Sequence, residues 1–132
     1  MNKAELIELI NSLGLDKNEF YVVSSGALVL RGLLPDAGDL DISVSDEGLA
    51  YLKKKYKLTP KNSDNWYYVT DRVECVCNGD KSKWVEPLLC EGIYVQNINQ
   101  YYEYLLTSDR DKDKARIPIV KEYIANLEKE KI

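Results

Sequence analysis

The sequence predicts an α+β (α/β) domain with a small mixed β-sheet, flanking helices and a helical C-terminal tail. Short aromatic and β-branched runs, such as residues 20–23, alternate with segments such as 6–13, whose apolar residues recur at helical spacing. Turn-forming residues, such as those at 35–38, separate these segments. A chain of 132 residues is long enough for one hydrophobic core and too short for two, so we expect one domain over residues 1–132. No internal repeat is visible.

The N-terminal half is predicted to contain three helices and two strands. Gly14 is placed to end the first helix, and residues 20–23 are expected to form a buried strand. Residues 27–34 suit a mostly buried helix. Residues 39–44 alternate polar and apolar side chains, which is typical of a half-buried strand. Residues 46–56 begin with acids and end with lysines, as the helix dipole prefers.

Three more strands are expected in the second half of the chain. Residues 66–69 and 73–77 read as a β-hairpin joined by a tight turn at 71–72. Residues 92–95 read as a further short strand. Other turns are predicted at 62–65 and 78–80.

The remaining C-terminal residues are predicted to be helical. Asn97 and Ser108 are in position to cap two helices. Ile117, Val120, Ile124 and Leu127 form one apolar stripe, and Pro118 within it predicts a kink or a break near Ile117.

Composition excludes several classes of protein. The apolar fraction of 45% and the charged fraction of 30% are typical of a globular domain, and the net charge of -4 argues against a protein that coats nucleic acid. The lysine run at 53–61 is read as a solvated helix end, with a small RNA-binding protein as the alternative. Three cysteines do not suggest a disulfide framework, and a zinc site would lack a fourth ligand because there is no histidine. No secretory signal or membrane-spanning stretch is visible, so we expect a cytoplasmic protein.

Two neighbouring segments contain the candidate phosphate-binding and metal-binding residues. Ser24, Ser25 and Gly26 form a small turn between a strand and a helix, where backbone N–H groups favour a phosphate. Asp39 and Asp41 then lie two residues apart in the next strand, so both carboxylates are expected to face one spot. Like charges held that close repel unless a cation lies between them, and Mg²⁺ prefers such oxygen ligands. The pair therefore predicts a magnesium clamp.

This arrangement resembles the nucleotidyltransferase superfamily that includes polymerase beta. Members have a small-residue pair, here Ser25-Gly26, followed by two carboxylates, here Asp39 and Asp41. Residues 23–42 look like the small bacterial members, including those similar to lincosamide nucleotidyltransferases. Residues 92–98 and 109–113 look like the tail of that group.

The resemblance implies a Mg²⁺-dependent enzyme with two ions, which moves a nucleoside monophosphate from a triphosphate such as ATP to a hydroxyl acceptor. Asp39 and Asp41 would hold the metal with a third carboxylate, for which Glu74 is our choice and Asp71 the rival. The nucleotide-binding residues would be Ser24, Ser25, Gly26, Arg31, Arg110 and Lys112.

The partners implied are a nucleoside triphosphate and an acceptor that is a small molecule, a tRNA or a protein. The resemblance also implies an antitoxin or another protein as a binding partner. Leu105 stands where the family often has a lysine. The alternative is therefore a catalytically silent module of the same fold, which binds a nucleotide or a partner protein.

Overall fold

A seven-stranded mixed β-sheet organises the part of the chain that the computed structural model describes, residues 1–61, 65–77 and 81–130. The strands are β1 (Phe20–Val23), β2 (Leu40–Val44), β3 (Thr59–Pro60), β4 (Trp66–Tyr68), β5 (Val73–Cys77), β6 (Leu88–Cys90) and β7 (Ile93–Val95). Their order across the sheet is β3-β4-β5-β2-β1-β7-β6. β1 is parallel to β7 and β2 is parallel to β5, whereas the other neighbours are antiparallel. The predicted mixed sheet and the hairpin of β4 and β5 are confirmed.

Five α-helices accompany this sheet in the described residues. They are α1 (Lys3–Leu13), α2 (Ser24–Leu30), α3 (Asp46–Lys55), α4 (Ile98–Thr107) and α5 (Asp111–Glu130). Gly14 ends α1 with a φ of 71°, a conformation that favours glycine, as the sequence predicts. Asn97 caps α4 by accepting hydrogen bonds from the N–H groups of Asn99 and Gln100.

The two faces of the sheet have different roles. Side chains of one face, including Val22, Ile42 and Cys75, are buried in the main core with Leu6 and Leu52 from α1 and α3. A second cluster joins α4 and α5 to Leu28 of α2. The other face of the central strands is therefore available to line a cavity.

Several predicted boundaries are corrected by the structure. α2 is helical over 24–30 rather than 27–34, because it begins directly after β1. α5 is helical on both sides of Pro118, so no break occurs near Ile117. Val120, which is fully buried, packs the helix against α4 and α2 on the C-terminal side of the proline. Residues 62–64 of the turn predicted at 62–65, and all of the turn predicted at 78–80, lie outside the described residues.

The described ranges contain no helix with the length and apolar character needed to cross a membrane. Cys75 and Cys77 are both buried on β5.

Candidate functional site

Two rows of side chains run across the open face of the sheet. Strand register places Tyr21, Ser43, Val76 and Trp66 side by side in one row. The neighbouring row is formed by Val23, Asp41, Glu74 and Tyr68. Both rows follow from the alternation of side chains along each strand.

Asp41 and Glu74 are direct neighbours on the parallel strands β2 and β5. Adjacent strands lie about 4.8 Å apart, so these two carboxyl groups interact closely. Lys61 Nζ donates a hydrogen bond to Glu74 Oε2 at 3.0 Å. The site is thus a pair of acids, Asp41 and Glu74, with Lys61 bound to Glu74.

The environment of Asp41 disfavours its charged form. Burial, the nearby charge of Glu74 and a hydrogen bond with Glu74 raise the pKa of the Asp41 carboxyl to about 6, and Asp39 adds to the effect. Lys61 acts in the opposite direction, and its own pKa is raised by the hydrogen bond to Glu74. Asp41 Oδ1 is buried and has no hydrogen-bond partner among the described residues.

A cavity of about 460 Å³ lies between this face of the sheet and α4, and we call it the α4 cavity. Its floor is Asp41 and Glu74 with their neighbours in the two rows, and its wall includes Gln100, Tyr101 and Tyr104. Trp66 of β4 also lines this cavity.

A second cavity, of about 230 Å³, shares Asp41 and contacts α5, and we call it the α5 cavity. Asp39 and Ser25 line it together with two cationic side chains, Lys112 and Arg116. Asp41 therefore contributes to both cavities, whereas Asp39 lines only the second and Glu74 only the first.

Asp39 occupies a different position from the one predicted. It is exposed and precedes β2, because strand pairing with β5 begins at Leu40. Asp39 and Asp41 nevertheless line the same α5 cavity. The expected proximity of the two aspartates is found, but it does not come from two positions of one strand.

The small-residue turn is divided between the two cavities. Ser24, with a φ of 58°, lines the α4 cavity, and its N–H donates to Gln96 Oε1 at 3.5 Å. Ser25 lines the α5 cavity. Gly26 is buried and lines neither of them, and a Cβ at this position would lie 3.0 Å from Val22 Cγ1. Close packing of α2 on β1 is thus the reason for glycine here.

The three basic residues proposed for nucleotide binding lie in three places. Arg110 lines the α4 cavity and Lys112 lines the α5 cavity. Arg31 lies apart from both, where its guanidinium donates to Tyr123 OH at 2.9 Å and to the Gln96 carbonyl at 2.9 Å.

Sequence reasoning missed Lys61, Arg116 and Asp113 as parts of this region. Arg116 donates to Tyr101 OH at 3.1 Å and so connects the two cavities. Asp113 is 2% exposed and accepts a hydrogen bond from Ser108 Oγ at 2.7 Å. The segment 109–113 was recognised, but its pattern does not reveal which acid faces inward.

The residues present are compatible with Mg²⁺. No three His, Cys, Asp or Glu side chains in the described ranges are arranged to hold a metal by themselves. Mg²⁺ in nucleotide sites is usually held by one or two carboxylates plus substrate phosphates, and therefore does not require such a cluster. The unpartnered Asp41 Oδ1 and the raised pKa of this carboxyl are both consistent with an acid placed for a cation.

Glu74 and Asp71, the two candidates for the third carboxylate, are separated by the structure. Glu74 is beside Asp41, whereas Asp71 is exposed in the turn between β4 and β5 and lines neither cavity.

Comparison with known proteins adds nothing to this geometry: no family model, no curated protein and no solved structure matches the chain.

Proposed function

We propose that the chain is a Mg²⁺-dependent nucleotidyltransferase that moves a nucleoside monophosphate group from a triphosphate to a hydroxyl acceptor. The observation that carries this proposal is the position of Asp41. It lines both cavities, the α5 cavity with Asp39 and Lys112 and the α4 cavity with Glu74. The resemblance of residues 23–42 to the superfamily supports the same reaction.

The α5 cavity supports binding of the phosphates. Lys112 supplies positive charge beside Asp39 and Asp41, Arg116 lies there paired with Asp113, and Ser25 supplies a hydroxyl group. Position 105 supplies no charge here, because Leu105 is fully buried against α5. Mg²⁺ held by Asp39, Asp41 and the phosphates would neutralise charge that develops on the leaving pyrophosphate.

In the proposed reaction the acceptor oxygen forms a bond to the α-phosphorus. The bond between that phosphorus and the bridging oxygen breaks, and pyrophosphate leaves with the bonding electrons. Glu74 lies next to Asp41 and accepts the proton of the acceptor hydroxyl. Lys61 holds the Glu74 carboxylate in place through the 3.0 Å hydrogen bond.

Label transfer tests the proposal. The full chain is incubated with Mg²⁺, each α-labelled nucleoside triphosphate and a cell extract, and labelled products are identified by their mass. We expect Asp41→Asn and Glu74→Gln each to lower the transfer rate about 100-fold or more, the usual effect of removing one charge-stabilising group. Asp71→Asn is the matched control, because this acid lies outside both cavities.

A catalytically silent module is the second candidate, and the buried Leu105 favours it. The two candidates differ in the result of the same assay. If no label is transferred and nucleotide binding survives the Asp39→Ala and Asp41→Ala double substitution, the nucleotidyltransferase proposal fails. If binding requires these acids but no label is transferred, the silent module is supported.

A further inference from the structure

Three residues that line the α4 cavity each have a buried side-chain oxygen with no hydrogen-bond partner among the described residues. These atoms are Asp41 Oδ1, Ser43 Oγ and Gln100 Oε1. Ser43 is 1% exposed and lies on the floor of the cavity, two residues from Asp41 on β2. Gln100 belongs to α4, so the unpartnered atoms come from opposite sides of one space.

These oxygen atoms define the polarity of a ligand. A carboxylate oxygen and an amide oxygen only accept hydrogen bonds, and a hydroxyl both donates and accepts. A buried polar atom without a partner is costly, so a ligand with several O–H or N–H groups gains most in this cavity. The two basic groups here are already occupied, Lys61 by Glu74 and the largely exposed Arg110 by Asp113. An anionic ligand therefore finds no unpaired cation in the described lining.

The size and position of the cavity agree with a small acceptor. Its volume of about 460 Å³ is within the range of about 300–1,000 Å³ that is common for small-molecule sites. Asp41 and Ser43 are separated by about 7 Å along the strand, which one small molecule can span. Glu74, the proposed proton acceptor, lines this cavity and not the α5 cavity.

From these observations we infer that the α4 cavity binds the acceptor as a small, neutral or cationic compound with several hydroxyl or amino groups. Gln100 accepts a hydrogen bond from this compound through Oε1, and the Ser43 hydroxyl donates or accepts one. One hydroxyl group of the compound is directed toward Glu74. The identification of this ligand as the acceptor rests on the proposed function. The binding site itself rests on the unpartnered atoms.

Titration of the full chain with three probes of similar size tests the inference. The probes are myo-inositol, which is neutral, glucosamine, which is cationic, and gluconate, which is anionic. Binding is followed by ¹H–¹⁵N NMR. We expect myo-inositol and glucosamine to shift resonances of the cavity residues. Gluconate is expected to bind at least about tenfold more weakly, because its carboxylate is repelled by the acidic lining.

Ser43→Ala and Gln100→Ala are each expected to raise the Kd of the bound probes about tenfold, as for the loss of one hydrogen bond. Asn99→Ala is the matched control, since Asn99 is exposed on the same helix and does not line the cavity. Gln100→Glu adds a negative charge without changing the size of the side chain. It is expected to strengthen the binding of glucosamine relative to myo-inositol.

The inference is overturned if myo-inositol and glucosamine leave the cavity resonances unchanged, or if gluconate binds as tightly as they do. It is also overturned if Asn99→Ala weakens binding as much as Gln100→Ala. Transfer of label only to RNA or to protein contradicts a small acceptor even when nucleotidyl transfer is real.

Titration of the same samples with Mg-ATP keeps the two proposals separate. Label transfer by the wild type, together with loss of Mg-ATP binding in Asp39→Ala and Asp41→Ala, supports the proposed function, whatever the three probes do. Probe binding that depends on Ser43 and Gln100 supports the site in the α4 cavity, whatever Mg-ATP does.

Discussion

Replacing Asp41 by Asn is expected to stabilise the metal-free protein at neutral pH. The carboxyl of Asp41 has its pKa raised from 3.8 to about 6, mainly by burial and by the charge of Glu74. In the folded state its charged form is therefore disfavoured. Asn has nearly the same shape and no charge, and its amide group can donate a hydrogen bond to Glu74.

The magnitude follows from the two pKa values. A difference of one pKa unit corresponds to about 1.4 kcal/mol, so the rise from 3.8 to about 6 gives an upper limit of about 3 kcal/mol. Asp41 is only partly buried, and solvent screening reduces this effect. We expect Asp41→Asn to raise the free energy of unfolding by about 1–2 kcal/mol at about pH 7.5.

The sign of the pH dependence is fixed by the direction of the shift. Between about pH 4 and pH 6 the folded protein binds the Asp41 proton more tightly than the unfolded chain, so stability falls as pH rises. Below about pH 4 the carboxyl is protonated in both states, and the advantage of Asn disappears. Urea unfolding followed by circular dichroism over this range measures the difference between the two proteins.

Asp71→Asn is the control for the removal of a surface charge, since Asp71 is exposed in the turn between β4 and β5. The reasoning is refuted if Asp41→Asn is less stable than the wild type at about pH 7.5. It is also refuted if the stability difference is the same at about pH 4 and about pH 7.5.

Two further predictions concern packing around the site. Gly26→Ala is expected to lower the free energy of unfolding by about 1–3 kcal/mol in urea, because its Cβ would lie 3.0 Å from Val22 Cγ1. Gly38→Ala, where no atom lies within 4 Å of the new Cβ, is the matched control, and equal effects of the two substitutions would contradict the packing argument. Asp113→Ala is expected to lower the free energy of unfolding by about 3–5 kcal/mol. The Asp113 carboxylate is 2% exposed and faces Arg116, whose charge would lose its partner. The exposed Asp111→Ala serves as its control, and a loss no larger than that of Asp111→Ala would show that the Asp113 contacts contribute little.

Local patterns in the sequence predicted much of the fold because local physics decides those features. Gly14 ends α1 in a conformation that favours glycine, and Asn97 caps α4 with its side-chain oxygen. The alternation in β2 also identified the polar face that carries Asp41 and Ser43. Each of these features depends on residues that are close in the chain.

The features that the sequence did not reveal depend on distant contacts. The bond between Lys61 and Glu74 requires the hairpin of β4 and β5 to bring the end of β3 across to β5. The inward position of Asp113 depends on how the start of α5 packs beside α4. Asp39 was assigned to the strand by alternation, although pairing with β5 begins only at Leu40. Periodicity shows which residues alternate, but it does not show where a neighbouring strand begins.

The polar floor of the α4 cavity is difficult to explain by stability alone. Asp41 and Ser43 occupy positions on β2 where apolar side chains would suit a sheet face covered by α4. Within the described ranges each has a buried side-chain oxygen without a hydrogen-bond partner, and such groups cost about 1–3 kcal/mol apiece. Because the opposite face of the same strand is fully apolar, with Leu40, Ile42 and Val44 in the core, the polar groups are confined to the side that faces the cavity. Unfavourable groups concentrated on one side of one strand are typical of a ligand site, because a bound ligand or cation can satisfy them.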